Sequence, residues 1–189
     1  MAAPEDAFDF SALLRIFPLL LLVFAPQLQA AAVEVALVQT LDEPRGFCID
    51  MPGFQARARP DRPLHTHSCY SYQGQLAVDQ AFDGGLIAKG VFRILAFDRC
   101  MTAPVQAAGG RLALEACDGG PAQQFRHQPA GQITVLAAPE YCVTAGEGPS
   151  RAGGGGQPVH LIRDLTLEPC DRSRDERQRW RLRESFEGL

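Results

Sequence analysis

The chain has 189 residues, of which 46% are hydrophobic and 21% charged, so it is long enough for one packed domain and its composition excludes global disorder. Its 18 basic and 22 acidic residues give a net charge of −4, which argues against nucleic acid as a partner. The 18 glycines and 14 prolines favour an all-β fold of short strands joined by many turns.

The first thirty residues differ from the rest of the chain. An apolar run over 16–25 is shorter than the roughly 20 residues that cross a bilayer, but it matches the core of a signal peptide, with cleavage after Ala30 or Ala32. Three acidic residues and one arginine precede the run, where a signal peptide usually has net positive charge, so an uncleaved anchor is the alternative. We predict a signal peptide over 1–30 and a secreted or periplasmic protein with no membrane span after cleavage.

All six cysteines follow this leader: Cys48, Cys69, Cys100, Cys117, Cys142 and Cys170. An even count behind an export signal predicts three disulfides in an oxidising compartment. Zinc is the rival interpretation, but no two cysteines have C-x-x-C spacing. Six cysteines allow 15 pairings, and composition alone cannot choose among them.

Three short phrases recur in order along the chain. The first is a cysteine followed by an apolar residue and then Asp or Thr, after a predicted strand at 35–38, 93–96 or 134–137. The second is an alternation of apolar residues before the next cysteine, which is typical of a strand with one buried face. The third is a glutamine two residues before a large aromatic: Gln80 and Phe82, Gln123 and Phe125, Gln178 and Trp180.

The phrases divide the chain into three repeats at about 35–83, 90–127 and 132–182. A repeat of this length cannot bury its apolar face alone, so the three must share one core in which the aromatic residues meet. The repeat also selects one pairing of the cysteines within each unit: Cys48–Cys69, Cys100–Cys117 and Cys142–Cys170. Each bridge should stabilise the fold by about 3–4 kcal/mol, because it reduces the conformational entropy of the unfolded chain.

The ordered phrases C-x-[D/T], L-x-L-x-x-C and Q-x-[W/F] resemble those of the ricin B-type lectins. The resemblance implies a β-trefoil with pseudo-threefold symmetry over 33–184, followed by a short tail at 185–189. It also implies a glycan partner of the galactose or GalNAc type. The sequence departs from the family pattern in a longer stretch between Cys69 and Gln80, a glycine-rich insert at 153–156, and Phe in place of Trp in two repeats.

The resemblance further implies one sugar site per repeat, made of an aspartate, an aromatic platform, a polar residue and an Asn-Gln pair. A carboxylate accepts hydrogen bonds from sugar hydroxyls, and a ring covers the apolar face of the sugar. Only the first repeat meets most of these demands, with Asp50, His65, His67, Asp79 and Gln80. The other two lack the aspartate and the ring and are predicted to be remnants: Thr102, Glu115 and Ala122 in the second, Thr144, Glu168 and Arg177 in the third.

Other interpretations of these residues stay open. Asp50 is also suited to cap a turn at Pro52-Gly53, and the recurring glutamines suit a structural role. His65 and His67 point to the same side of a strand, as metal ligands do, but without further ligands a surface pair is the simpler interpretation. We predict neither a metal nor a cofactor.

The sequence contains no recognisable catalytic motif, and disulfides would leave no cysteine as a nucleophile. We therefore predict that the protein is not an enzyme. The leading hypothesis is a carbohydrate-binding protein with at most one functional site, in the first repeat. The alternative is a trefoil that binds no sugar and acts as a structural, protein-interaction or protease-inhibitor module with an extracellular protein as its partner.

Overall fold

A computed structural model describes residues 31–53, 55–70 and 78–184. The predicted signal peptide and the tail at 185–189 lie outside the described residues. Within the described ranges, fourteen short strands form one connected sheet, and the two α-helices have only four residues each. Neither of these helices has the length or the apolar character that a membrane span requires.

The strands follow the three predicted repeats. The first repeat contains β1 (Ala32–Leu37), β2 (Phe47–Asp50), β3 (His65–Ser68), β4 (Phe82–Asp83) and helix α1 (Gly84–Ile87). The second contains β5 (Arg93–Ile94), β6 (Arg99–Thr102), β7 (Gly110–Arg111), β8 (Ala113–Ala116) and β9 (Phe125–His127). The third contains β10 (Ile133–Val135), β11 (Ala138–Ala145), β12 (Arg151–Ala152), β13 (Leu161–Pro169), α2 (Asp175–Gln178) and β14 (Trp180–Arg183).

Pairing between the repeats closes the structure. The first strand, β1, pairs with the last, β14, and the buried Glu34 forms an ion pair of 2.8 Å with Arg183 across them. The long strand β13 of the third repeat pairs with β3 of the first and with β7 of the second. Every described repeat therefore shares hydrogen bonds with its neighbours, and none is a separate domain.

The apolar residues of the three repeats form one core, as the repeat predicts. Its members include the aromatic residues of the third phrase, Phe82, Phe125 and Trp180, all of them buried. Phe92 lies between the two phenylalanines in edge-to-face contact, with ring centroids 6.3 Å from Phe82 and 5.7 Å from Phe125. The Trp180 Nε1–H donates a hydrogen bond to the Val143 carbonyl at 2.9 Å, so the largest ring has its polar atom satisfied.

The predicted disulfide pairing is confirmed. Cα–Cα distances of 5.0, 5.1 and 5.0 Å fit ordinary bridges, and no cysteine is left free: Cys48–Cys69, Cys100–Cys117 and Cys142–Cys170. Each bridge joins the first and second phrases of one repeat and closes a segment with a sequence separation of 21, 17 and 28 residues.

The glutamine of the third phrase makes the same hydrogen bonds in each repeat. Its Nε2 donates to the side chain of the Asp or Thr in the first phrase, at 2.6, 3.1 and 3.0 Å: Gln80 to Asp50, Gln123 to Thr102, Gln178 to Thr144. The same nitrogen donates to the carbonyl before the second cysteine: Ser68, Ala116 and Pro169. Its Oε1 accepts from the amide after that cysteine: Tyr70, Asp118 and Asp171.

These bonds explain why the three phrases occur together. Asp and Thr are interchangeable in the first phrase because both supply an oxygen that accepts from the glutamine amide. Because the glutamines are buried, a residue without both a donor and an acceptor would leave backbone groups unsatisfied.

Local structure differs from the expected strands in two places. The strand expected at 93–96 ends at Ile94, where a 3₁₀ turn, Leu95–Phe97, leads to Asp98 in the left-handed conformation (φ 47°). The strand expected at 134–137 ends at Val135 after a register shift. A 3₁₀ turn, Arg172–Arg174, precedes α2, and Asp171 caps this turn by accepting a hydrogen bond from the Ser173 amide at 2.9 Å.

Candidate functional site

The residues predicted for the first-repeat site lie together. Strands β2 and β3 place Asp50 directly opposite His65, so the Asp50 carboxylate lies between the two histidines of β3. Its Oδ1 is 3.7 Å from His65 Nε2 and its Oδ2 is 3.7 Å from His67 Nδ1. Gln80 donates to the same Oδ2 at 2.6 Å. Asp79 adjoins this group, since its carbonyl accepts a hydrogen bond from the Met51 amide at 3.2 Å.

The site is enclosed. Asp50 is 2% exposed, Asp79 1% and His67 6%, and Gln80 is fully buried. Both carboxylate oxygens of Asp79 lack a hydrogen-bond partner among the described residues. A buried carboxylate without partners costs several kcal/mol unless it takes up a proton or gains a ligand. Asp79 is therefore the least satisfied group of the site.

Burial controls the charges of the site. Loss of water and, to a smaller extent, the neighbouring Asp50 carboxylate together raise the pKa of Asp79 to about 7. Burial also raises the pKa of Asp50 well above its ordinary value, although the bond from Gln80 opposes the shift. Burial lowers the pKa of His65 and of His67 to about 4. Near neutral pH both imidazoles are uncharged, and the formal charge of the site resides on the carboxylates.

Two further rings, Tyr70 and His160, complete the site. Tyr70 stacks on His67 with ring centroids 5.2 Å apart and planes inclined by 17°. His160 meets both rings edge-on, at 5.1 Å from His67 and 4.9 Å from Tyr70. Tyr70, His67 and His160 thus form an aromatic wall beside the Asp50 carboxylate, a combination that suits a ligand with polar and apolar faces.

Sequence comparison between the repeats does not identify these two rings. Tyr70 follows Cys69, a position where the other repeats have Asp118 and Asp171, and its backbone amide makes the same bond to a glutamine in each. The only sign of Tyr70 in the sequence is that an aromatic residue follows Cys69, where the other repeats have aspartate. His160 belongs to the third repeat, so alignment of the repeats gave no reason to place it in the first-repeat site.

His160 reaches the first repeat through the glycine-rich hairpin. This hairpin comprises residues 151–160, that is, β12 and the turn that leads to β13. The hairpin is closed by hydrogen bonds from the Gly153 amide to the His160 carbonyl (2.6 Å) and from the His160 amide to the Gly155 carbonyl (3.1 Å). The glycine-rich insert at 153–156 is mostly exposed, and two of its glycines border the site: an added Cβ would lie 3.1 Å from His67 Nε2 at Gly153 and 2.5 Å from His160 at Gly156.

Arg45 fastens this hairpin to the first repeat. Its guanidinium donates to the carbonyls of Pro158 and Val159, both at 2.9 Å, and binds Glu43 through Nε (2.7 Å) and Nη2 (2.6 Å). Burial alone would raise the pKa of Glu43, but the hydrogen bonds from Arg45 and Ser68 outweigh it and lower that pKa. The ionised Glu43 therefore holds Arg45 in place, and Arg45 holds the hairpin.

We expect Gly156→Ala to displace His160. An added Cβ would lie 2.5 Å from His160 Cδ2 and Nε2, and the backbone (φ 76°) is left-handed. Gly155→Ala is the matched control, because Gly155 has the same φ and no atom within 4 Å. Left-handed strain of about 1–2 kcal/mol should appear in both variants on urea unfolding. Only Gly156→Ala should also shift the NMR signals of His67 and Tyr70; equal shifts in both variants would contradict the described packing.

The corresponding positions of the other repeats lack this chemistry. Thr102 and Thr144 bind their glutamines, and Ala122 has no polar group. Arg177 donates to the Gly146 carbonyl at 2.9 Å, and Glu168 accepts from the Thr166 hydroxyl. Glu115 is exposed.

One group of potential metal ligands occurs in the part of the chain that the structure describes: Glu34 with Cys48 and Cys69, whose ligand atoms lie within 4.8 Å of one another. Both sulfurs belong to one disulfide, so neither is a thiolate. Glu34 also binds Arg183. This group is therefore unsuited to hold a metal ion.

No protein-family model and no curated protein sequence matches the chain. Solved structures do match. An agglutinin from Abrus precatorius superposes with a TM-score of 0.55 at 20% identity, over 80% of this chain and 47% of that one, so this chain spans about half its length. The C-half of an earthworm R-type lectin, in complex with GalNAc, superposes with a TM-score of 0.54 at 13% identity, over 82% of this chain and 98% of that one.

A second structure of the earthworm lectin, a mutant of the C-terminal domain in complex with 6'-sialyllactose, gives a TM-score of 0.53 at 13% identity. It covers 82% of this chain and 98% of that domain. These matches, together with the threefold glutamine pattern, confirm the expected fold. The chain has the β-trefoil fold of the R-type, or ricin B-type, lectins.

Proposed function

We propose that the chain is an extracytoplasmic carbohydrate-binding module with one working site, in the first repeat, and that it is not an enzyme. The domain occupies 33–184 in this proposal. Three disulfides support an oxidising compartment. The earthworm lectin with the same fold was solved with GalNAc, which supports a sugar of the galactose type as the ligand.

One observation carries the proposal: the buried Asp79 carboxylate, whose two oxygens have no partner among the described residues, lies near Asp50 and His65. Two hydroxyl groups of a sugar would donate the missing hydrogen bonds. The rings of Tyr70, His67 and His160 would cover its C–H face. Because the Asp50 carboxylate is held by Gln80, it is pre-positioned to accept from the ligand.

A glycan-array screen of the mature domain tests this function. We expect binding of galactose-type sugars in the millimolar to high-micromolar range, about −4 to −6 kcal/mol, as for a single small site. Asp50→Asn should weaken binding at least about tenfold, because a charged acceptor is lost while the amide oxygen can still accept from Gln80. Absence of binding to any glycan, or unchanged affinity of the variant, would sink the proposal.

Matched controls come from the other two repeats. Thr102→Ala and Thr144→Ala remove the side chains that correspond to Asp50. If the first repeat alone binds sugar, both variants should bind as the wild type does in NMR titration, provided that their far-ultraviolet circular dichroism is unchanged.

The enclosure of the site favours a second candidate, a trefoil that interacts with an extracellular protein and binds no sugar. Asp50 and Gln80 are buried under rings, and a ligand must displace part of this cover. A pull-down from the native extracellular fraction distinguishes the two functions. A single protein partner that resists competition by galactose and GalNAc would support this candidate.

A further inference from the structure

We propose that the first-repeat site selects sugars that carry a free protonated amine over their neutral and N-acetylated counterparts. This inference rests on the proposed sugar-binding function and names the chemical class of the ligand. It follows from the juxtaposition of two buried carboxylates, Asp50 and Asp79, of which Asp50 borders the aromatic wall through His67, with no cationic side chain paired to either among the described residues.

The first step concerns the carboxylates. Asp79 stands where the resemblance implies an amide, so the site has one more acidic group than a site for a neutral sugar. The only charge partners within 4.0 Å of Asp50 among the described residues are His65 and His67, which are uncharged near neutral pH. Asp79 has no ion-pair partner there either. The part of the chain that the structure describes therefore supplies no cation for either group.

The second step concerns the arginines near the site, which are engaged elsewhere. Arg45 binds Glu43 and the carbonyls of the hairpin. Arg111 and Arg151 both bind Asp164, at 3.5 and 2.8 Å. None of them is available to Asp50 or Asp79 without the loss of these contacts.

The third step concerns the ligand. An ammonium group offers three donors and a positive charge, so it satisfies the unpartnered oxygens of Asp79 with charge-assisted hydrogen bonds. A hydroxyl offers a single donor, and an N-acetyl group adds an apolar methyl and removes the charge. Buried acids with raised pKa values, which release protons when a cation arrives, agree with this preference.

Isothermal titration at pH 7 with galactosamine, galactose and GalNAc tests the inference. We expect the wild type to bind galactosamine at least about tenfold more tightly than either neutral sugar, the ratio that one charge-assisted contact commonly gives. Asp79→Asn replaces the carboxylate by an amide and should reduce this ratio to about one, because galactosamine loses more affinity than the two neutral sugars. Asp50→Asn should weaken the binding of all three sugars.

The outcomes separate this inference from the proposed function. Neutral sugars that bind as tightly as galactosamine, or an amine preference that survives in Asp79→Asn, would overturn the amine preference and leave sugar binding intact. Absence of binding of all three sugars by a folded protein would overturn both. Galactosamine binding by the wild type together with loss of the preference in Asp79→Asn would establish the ligand class.

Discussion

Asp79→Asn should stabilise the unliganded domain by about 2–4 kcal/mol at pH 8 and by much less at pH 4. The pKa of Asp79 in the folded protein, about 7, lies above the ordinary 3.8. The folded state therefore holds this proton more tightly than the unfolded state. The resulting stability is present below pH 4 and is lost as the pH rises through 7. Asparagine has no proton to lose, so the variant escapes this loss.

Urea unfolding at pH 4 and pH 8, with the disulfides intact, measures the difference. Glu140→Gln is the control, because Glu140 is exposed and its replacement should change the free energy of unfolding by less than about 0.5 kcal/mol at either pH. A difference between wild type and Asp79→Asn that does not grow with pH would show that Asp79 is not held in a costly environment.

A stabilising change at a site residue has a functional meaning. Proteins retain groups that cost stability mainly where ligand binding needs them. Asp79→Asn is thus expected to gain stability and to lose the preference for an amine in the same molecule. The two measurements are independent, and agreement between them would link the cost of the buried carboxylate to ligand choice.

Trp180→Ala should lower the free energy of unfolding by about 3–5 kcal/mol, the usual cost of emptying a large aromatic position in a core. Trp180 is 1% exposed, packs in the shared core and donates to the Val143 carbonyl. Its strand, β14, closes the sheet against β1, so the cavity would lie next to the pairing of the first and last strands.

Trp180→Phe is the informative comparison, because the first and second repeats have Phe82 and Phe125 at this position. It keeps a ring and removes the indole hydrogen bond, so we expect a loss of about 1–2 kcal/mol. Urea unfolding at pH 7 measures both variants. Equal losses for Ala and Phe would mean that the hydrogen bond, rather than the filling of the core, accounts for the role of Trp180.

The threefold architecture could be predicted because its markers are local. Within each phrase the spacing is short and repeated, as in C-x-[D/T] and Q-x-[F/W], and the structure joins the phrases by a disulfide and by the bonds of one buried amide. Any repeat that lost its glutamine would lose several hydrogen bonds at once. The glutamine is therefore present in all three repeats, although the position of Asp50 is occupied by threonine, Thr102 and Thr144, in the other two.

The composition of the site could be predicted only in part. Asp50, His65, His67, Asp79 and Gln80 come together because β2 and β3 are paired and Gln80 spans them. The contribution of His160 depends on a hairpin from another repeat, and such a contact leaves no trace in local spacing. The burial of the two carboxylates could not be predicted from the sequence either, because the burial of a polar residue depends on its neighbours in space and not on its own type.

The union of the first strand with the last has a consequence for biogenesis. β1 cannot complete its hydrogen bonds until β14 has been synthesised, so the barrel-like closure must wait for the C-terminal part of the chain. The three cystine bridges span only 17 to 28 residues and need no such delay. Disulfide formation can therefore precede assembly, so that each repeat is covalently bridged before the first and last strands pair.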